Sequence, residues 1–135
     1  MTERRAARLG LAGALALVLA QLGVGSAWSL THDDPTELEL TRRCLERERG
    51  FAVEETIGDA VASSASGGTV TAIVEGNLVV ISVVASADEA ERLRLAYGSA
   101  EGELGPRLEV RGRYVSRWRR DPSGTQRQAT YDCAY

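Results

Sequence analysis

Two β-branched runs, residues 69–75 and 78–85, stand either side of Gly76-Asn77, a pair that favours a tight hairpin turn between strands. Residues 78–84 are apolar at every position but Ser82, which predicts a central strand covered on both faces. Ser86 follows with Glu89 three residues on, a capping-box spacing that opens a helix. Ala90, Leu93 and Tyr97 form its apolar stripe, and Gly98 is its expected end. After a loop over residues 99–106, side chains alternate from Leu108 to Trp118. Leu108, Val110, Tyr114 and Trp118 fall on one side, and Glu109, Arg111, Arg113 and Arg117 on the other, the pattern of a strand with one face packed and one wet. Asp121-Pro122-Ser123-Gly124 reads as a turn, and residues 126–135 as the returning strand, with Tyr131 and Cys133 facing inward.

Upstream, Asp33 or Asp34 offers a cap and Pro35 suits a first turn, so a helix is expected over residues 35–49 with Gly50 as its stop. Residues 51–54 fit a short strand. Residues 55–68 carry no clear period, and their Ser63–Gly68 portion reads as a flexible loop. The summed order predicts an α+β fold: a two-layer sandwich of a mainly antiparallel sheet of four or five strands with two helices on one face.

The N-terminus has a different pattern. Arg4, Arg5 and Arg8 precede residues 9–31, which contain no charged side chain. The apolar centre at residues 9–20 has signal-peptide length, and the whole run is long enough to cross roughly 30 Å of hydrocarbon as a helix. Both readings place the following domain, residues 30–135, outside the cytoplasm, because the arginines stay inside. Gly25-Ser26-Ala27 offers a cleavage site, and Trp28 equally suits an interfacial anchor, so a signal peptide and a signal anchor over residues 1–29 both stand. The domain is therefore expected either on the outer face of the cell membrane or secreted.

Removing that segment leaves a domain of about 100 residues, small enough for a cross-link to matter. Cys44 and Cys133 are its two cysteines, and a bond between them would close a loop spanning most of the domain, in keeping with an oxidising compartment. The chain has net charge −3; residues 1–29 hold three arginines and one glutamate, so the remainder carries −5. That balance, with export, argues against a nucleic-acid partner.

Candidate chemistry is sparse. His32 is the sole histidine, beside the apolar run, and no histidine in the folded part can activate a cysteine thiol. No metal-ligand spacing and no cofactor motif is present, and the Ser/Gly-rich loop lacks the phosphate-loop frame. Carboxylates near loops, Glu54, Glu55, Asp59, Glu75, Asp88, Glu101 and Glu103, would supply a small hydrolase if a fold paired them in a cleft. The sharper feature is arginine: Arg111, Arg113 and Arg117 on one strand face, Arg119 beside the turn and Arg127 across the expected hairpin. Like charges in register need counter-charges, supplied by nearby acids or by an anionic ligand, a lipid headgroup or an envelope protein. Tyr114 and Trp118 belong to the packed face. No family resemblance carries functional residues onto the chain. The leading expectation is a non-catalytic binding or protein-interaction module; the alternatives are a hydrolase using loop carboxylates and a secreted structural or inhibitory domain presenting the loop at residues 99–106.

Overall fold

The computed structural model describes residues 34–134; the expected signal peptide or anchor over residues 1–29 and His32 lie outside them. Helix α1, Glu37–Arg43, begins at Thr36, whose side chain accepts from the Glu39 N–H while Glu39 reaches back to the Thr36 N–H. The cap is thus Thr36 and not Asp34, since Thr36 and Glu39 make both bonds of a capping box; Asp33 lies outside the described residues. The helix widens into one π-helical turn, Cys44–Glu48, and stops at Gly50, whose φ of +71° suits glycine. Strand β1 is Ala52–Glu54. A short 3₁₀ turn, Ala62–Ser64, lies in the segment that carried no period.

Strands β2, Thr69–Val74, and β3, Asn77–Val83, form the expected hairpin with the turn one residue earlier, at Glu75-Gly76. Both turn residues have positive φ, 48° and 75°, which matches the twist of the flanking strands. Asn77 is instead buried at the start of β3, and its amide bonds both the carbonyl and the N–H of Arg120, tying the hairpin to the end of the last strand. Helix α2, Ala87–Glu101, starts at Ser86 as expected but runs through Gly98 and ends at Gly102, with φ +79°. Glu89 accepts from the N–H groups of Ala85 and Ser66 and from the Ser66 hydroxyl, fastening the helix start to the preceding loop.

The C-terminal third departs from the expected single strand and return. Residues 108–118 fold as two strands, β4, Leu108–Arg111, and β5, Tyr114–Trp118, reversing at Gly112-Arg113. Directly opposed residues share a face, so this turn swaps the parity of the alternation: Val110 pairs with Val115, and Arg111 with Tyr114. Residues expected to return as a strand form α3, Gly124–Tyr131, initiated by a capping box between Ser123 and Gln126. β5 is already flanked by β3 and β4, so the returning segment cannot pair with it, and helical spacing turns Thr130 and Cys133 inward.

The antiparallel sheet has five strands in the order β1-β2-β3-β5-β4, and the architecture is α+β. One face packs under α1 and α3 around Leu45, Val74, Val79, Ile81, Tyr114 and Trp118. The opposite face packs under α2 and the 3₁₀ turn around Val80, Val84, Leu93, Tyr97 and Val115. β3 contributes to both cores, as its apolar run, interrupted at Ser82 alone, required. Cys44 and Cys133 are joined by a disulfide, Cα to Cα 5.5 Å, which fastens the chain after α3 to the π turn.

Candidate binding surface

Pairing fixes which side chains share the face under α2. Ala52 opposes Ile73, which opposes Leu78; Glu54 opposes Thr71, which opposes Val80, which opposes Arg117. Helix α2 shields the β4–β5 side of this face, and the chain after Glu54 rises over β2, where the Thr56 hydroxyl bonds those of Thr69 and Thr71 at 3.1 and 2.9 Å. Between these covers lies an open cleft of about 430 Å³ with Thr71, Leu78 and Val80 on its floor and Tyr97 and Arg117 on its wall. A second depression of about 360 Å³, lined by Ile73, Gly76, Leu78, Arg119 and Arg120, adjoins it at Leu78.

The polar groups in the cleft are largely committed. Asp59 accepts from the Tyr97 hydroxyl at 2.8 Å and from the Ala62 N–H at 2.9 Å, so it both caps the 3₁₀ turn and anchors α2. Burial, then the Asp59 hydrogen bond and charge, hold the Tyr97 phenol far above its ordinary pKa. Glu101 is gripped by both Nε and Nη2 of Arg117, and that hydrogen bond raises the guanidinium further. Glu54 and Glu55 remain exposed at the rim with no side-chain partner among the described residues. Ile57, 90% exposed, stands at the mouth, and Ile73 is 39% exposed on the sheet beyond it.

The arginines are not one stripe. Arg111 lies on the face of α1 and α3, with its guanidinium 4.0 Å from the centre of the Tyr131 ring. Arg127, on α3 rather than a strand, pairs with Glu109 at 3.0 Å, and Glu109 also accepts from the Tyr131 hydroxyl. Arg113, in the β4–β5 turn, pairs with Glu37 at the start of α1. Arg117 is across the sheet with Glu101. Arg119 is exposed at the end of β5, its side chain without a partner among the described residues. The parity swap at Gly112 separates Arg111 from Arg117, and local carboxylates neutralise three of the five arginines.

Of the loop carboxylates, Glu54, Glu55, Asp59 and Glu101 come together at the cleft, whereas Glu75, Asp88 and Glu103 stand apart, exposed. Among the described residues no group of three or more His, Cys, Asp or Glu side chains is placed to hold a metal ion. Tyr114 and Trp118 are buried in the core under α1 and α3. Sequence reasoning missed Ile57, Ile73 and Leu78 as a surface; the one local signal was Ile57, an isolated large apolar side chain inside Glu55-Thr56-Ile57-Gly58-Asp59. Among the described residues no helix is long and apolar enough to cross a membrane. No protein-family model, curated protein or solved structure matches the chain.

Proposed function

We propose that this chain is an exported, non-catalytic binding module that engages a partner in the cell envelope through the uncovered part of its sheet face. The observation that carries the reading is an apolar surface that no described element covers: Ile57, almost fully exposed at the mouth of the cleft floored by Leu78, and Ile73, 39% exposed opposite Leu78. Export is supported by the arginine-led apolar run before residue 30 and by the Cys44–Cys133 disulfide, a bond that persists outside the cytosol.

A protein partner suits this surface better than an anionic lipid or small anion. Its uncommitted charges have both signs, Glu54 and Glu55 on one side and Arg119 on the other, whereas Arg113, Arg117 and Arg127 already face carboxylates. Hydrolysis by paired carboxylates has less support, since Asp59 and Glu101 are each occupied in holding the fold. An inhibitory loop over residues 99–106 has less support still, because α2 takes its first part and Leu104 is buried in the core.

The test is site-directed photocrosslinking in a bacterial host that exports the chain. A photoreactive phenylalanine analogue at Ile57 should yield discrete adducts, and the same analogue at Leu95, 55% exposed on the outer side of α2, should not. Equal adducts at both positions, or none at Ile57, would overturn the reading.

A further inference from the structure

We infer that the occupant of this surface is an extended peptide segment of a partner protein, carrying an acidic side chain, an apolar one and a basic one at every second position. This rests on the binding-module reading and names the chemistry of its partner.

The surface is ordered across the strands. At the level where β2 meets β3 at its turn, Ala52, Ile73 and Leu78 lie side by side, and the Arg119 N–H bonds the Leu78 carbonyl, which places Arg119 next in the row. On the β1 side the acids stand one row along: Glu54 shares the face of Ala52 two residues on, opposite Thr71, and Glu55 follows it; Ile73 and Leu78 form the centre, and Arg119 bounds the β5 side. Negative, apolar and positive groups therefore follow one another obliquely across three strand spacings, about 14 Å at roughly 4.8 Å per strand. An extended peptide advances roughly 3.3 Å per residue, so about four residues cover that span. Alternate side chains of such a peptide point the same way. Residues i, i+2 and i+4 thus reach the three zones together: an acid meets Arg119, an apolar side chain rests on Ile73 and Leu78, and a base meets Glu54 or Glu55.

Charge complementarity selects this occupant over the others. An anionic headgroup would satisfy Arg119 but would meet Glu54 and Glu55 with like charge, and a uniformly basic segment would meet Arg119 unfavourably. Arg120 adds to the positive side while donating to the Gly76 carbonyl at 2.7 Å, which holds its side chain beside the β2–β3 turn.

The experiment is selection of a displayed random heptapeptide library on the purified, disulfide-intact chain, followed by affinity measurement with the fluorescein-labelled winners. Enriched peptides should carry an acid and a base four residues apart around an apolar residue, in either order. Selection on Arg119→Glu should lose the peptide acid, and selection on Glu54→Arg/Glu55→Arg should lose the peptide base. Each variant should weaken the original winner about fivefold, the size of one exposed ion pair. Because each variant selects its own binders, loss of folding is distinguished from altered preference. The inference is overturned if nothing is enriched over an Ile73→Glu control, or if the charges selected do not follow those substitutions. Vesicles of anionic phospholipid serve as the other arm: binding to them that survives Ile73→Glu would assign the surface to lipid. Crosslinks at Ile57 without peptide enrichment would leave a folded-protein partner in place of a peptide.

Discussion

Removing the hydroxyl of Tyr97 isolates the contact that joins the cleft to the core. The ring, on the inner side of α2, is 1% exposed, while its hydroxyl donates to Asp59 at 2.8 Å. Tyr97→Phe keeps the apolar ring, so the transfer term is nearly unchanged and the cost is that of one hydrogen bond to a charged acceptor, about 1.5–3 kcal/mol when the acceptor is left dry. Asp59 borders an open cleft where water can replace the lost donor, which reduces the cost to about 1–2 kcal/mol. For a domain of this size that lowers the melting temperature at pH 7 by roughly 5–12 °C. The effect should depend on alkali. The folded phenol is held well above the unfolded value of about 10, so its contribution is full below pH 10 and is lost progressively as pH rises beyond it, because only the unfolded chain then releases the proton. Calorimetric melting of both proteins from pH 7 to 11.5 should therefore show the gap closing in the alkaline range. A difference below about 1 °C at pH 7, or a gap that stays constant above pH 10, would refute the argument.

Replacing both Cys44 and Cys133 by alanine releases a loop with sequence separation 89, for which chain entropy gives about 4–5 kcal/mol and a fall in melting temperature of roughly 15–30 °C; a fall of only a few degrees by calorimetry would contradict the stapling role. Gly98→Ala should stabilise by about 0.5–1 kcal/mol in urea unfolding, because Gly98 sits inside α2 with nothing within 4 Å of an added Cβ. Gly67→Ala should have the opposite sign, at about 1–3 kcal/mol, since the new Cβ would stand 2.7 Å from the Val83 carbonyl oxygen, a backbone atom held in the hairpin. The same unfolding curves would show either order failing.

What could be read in the chain was what its local chemistry overdetermined. The β2–β3 hairpin, the start of α2 at Ser86 and the two-sided burial of β3 each follow from a short run of residues, and all three are present. The pairing of Cys44 with Cys133 was also legible, although by a different route: Cys133 faces the core from the turn after α3 and not from a strand. The C-terminal misreading came from two patterns that fit equally well. Arg127, Ala129 and Tyr131 alternate as a strand would, while Gln126, Thr130 and Cys133 recur as a helix would, and the Ser123–Gln126 capping box decides for the helix. Gly112 hid a second ambiguity. A two-residue reversal there exchanges the faces of all later residues, so the arginine row dissolved as soon as β4 and β5 paired. The proposed binding surface was illegible for a further reason: Ile73, Leu78 and Arg119 form one row only after strand order is known, and long-range pairing is not a property of any window of sequence.

Closure of the domain by its disulfide, on which the proposed work outside the cytosol depends, is tested most directly by the non-reduced intact mass of the chain recovered from an exporting bacterial host after treatment with an alkylating reagent. The expected result is a species without alkyl adducts, about 2 Da lighter than its reduced form, as loss of two thiol hydrogens requires. A chain that retains both thiols and takes up two alkyl groups would contradict it.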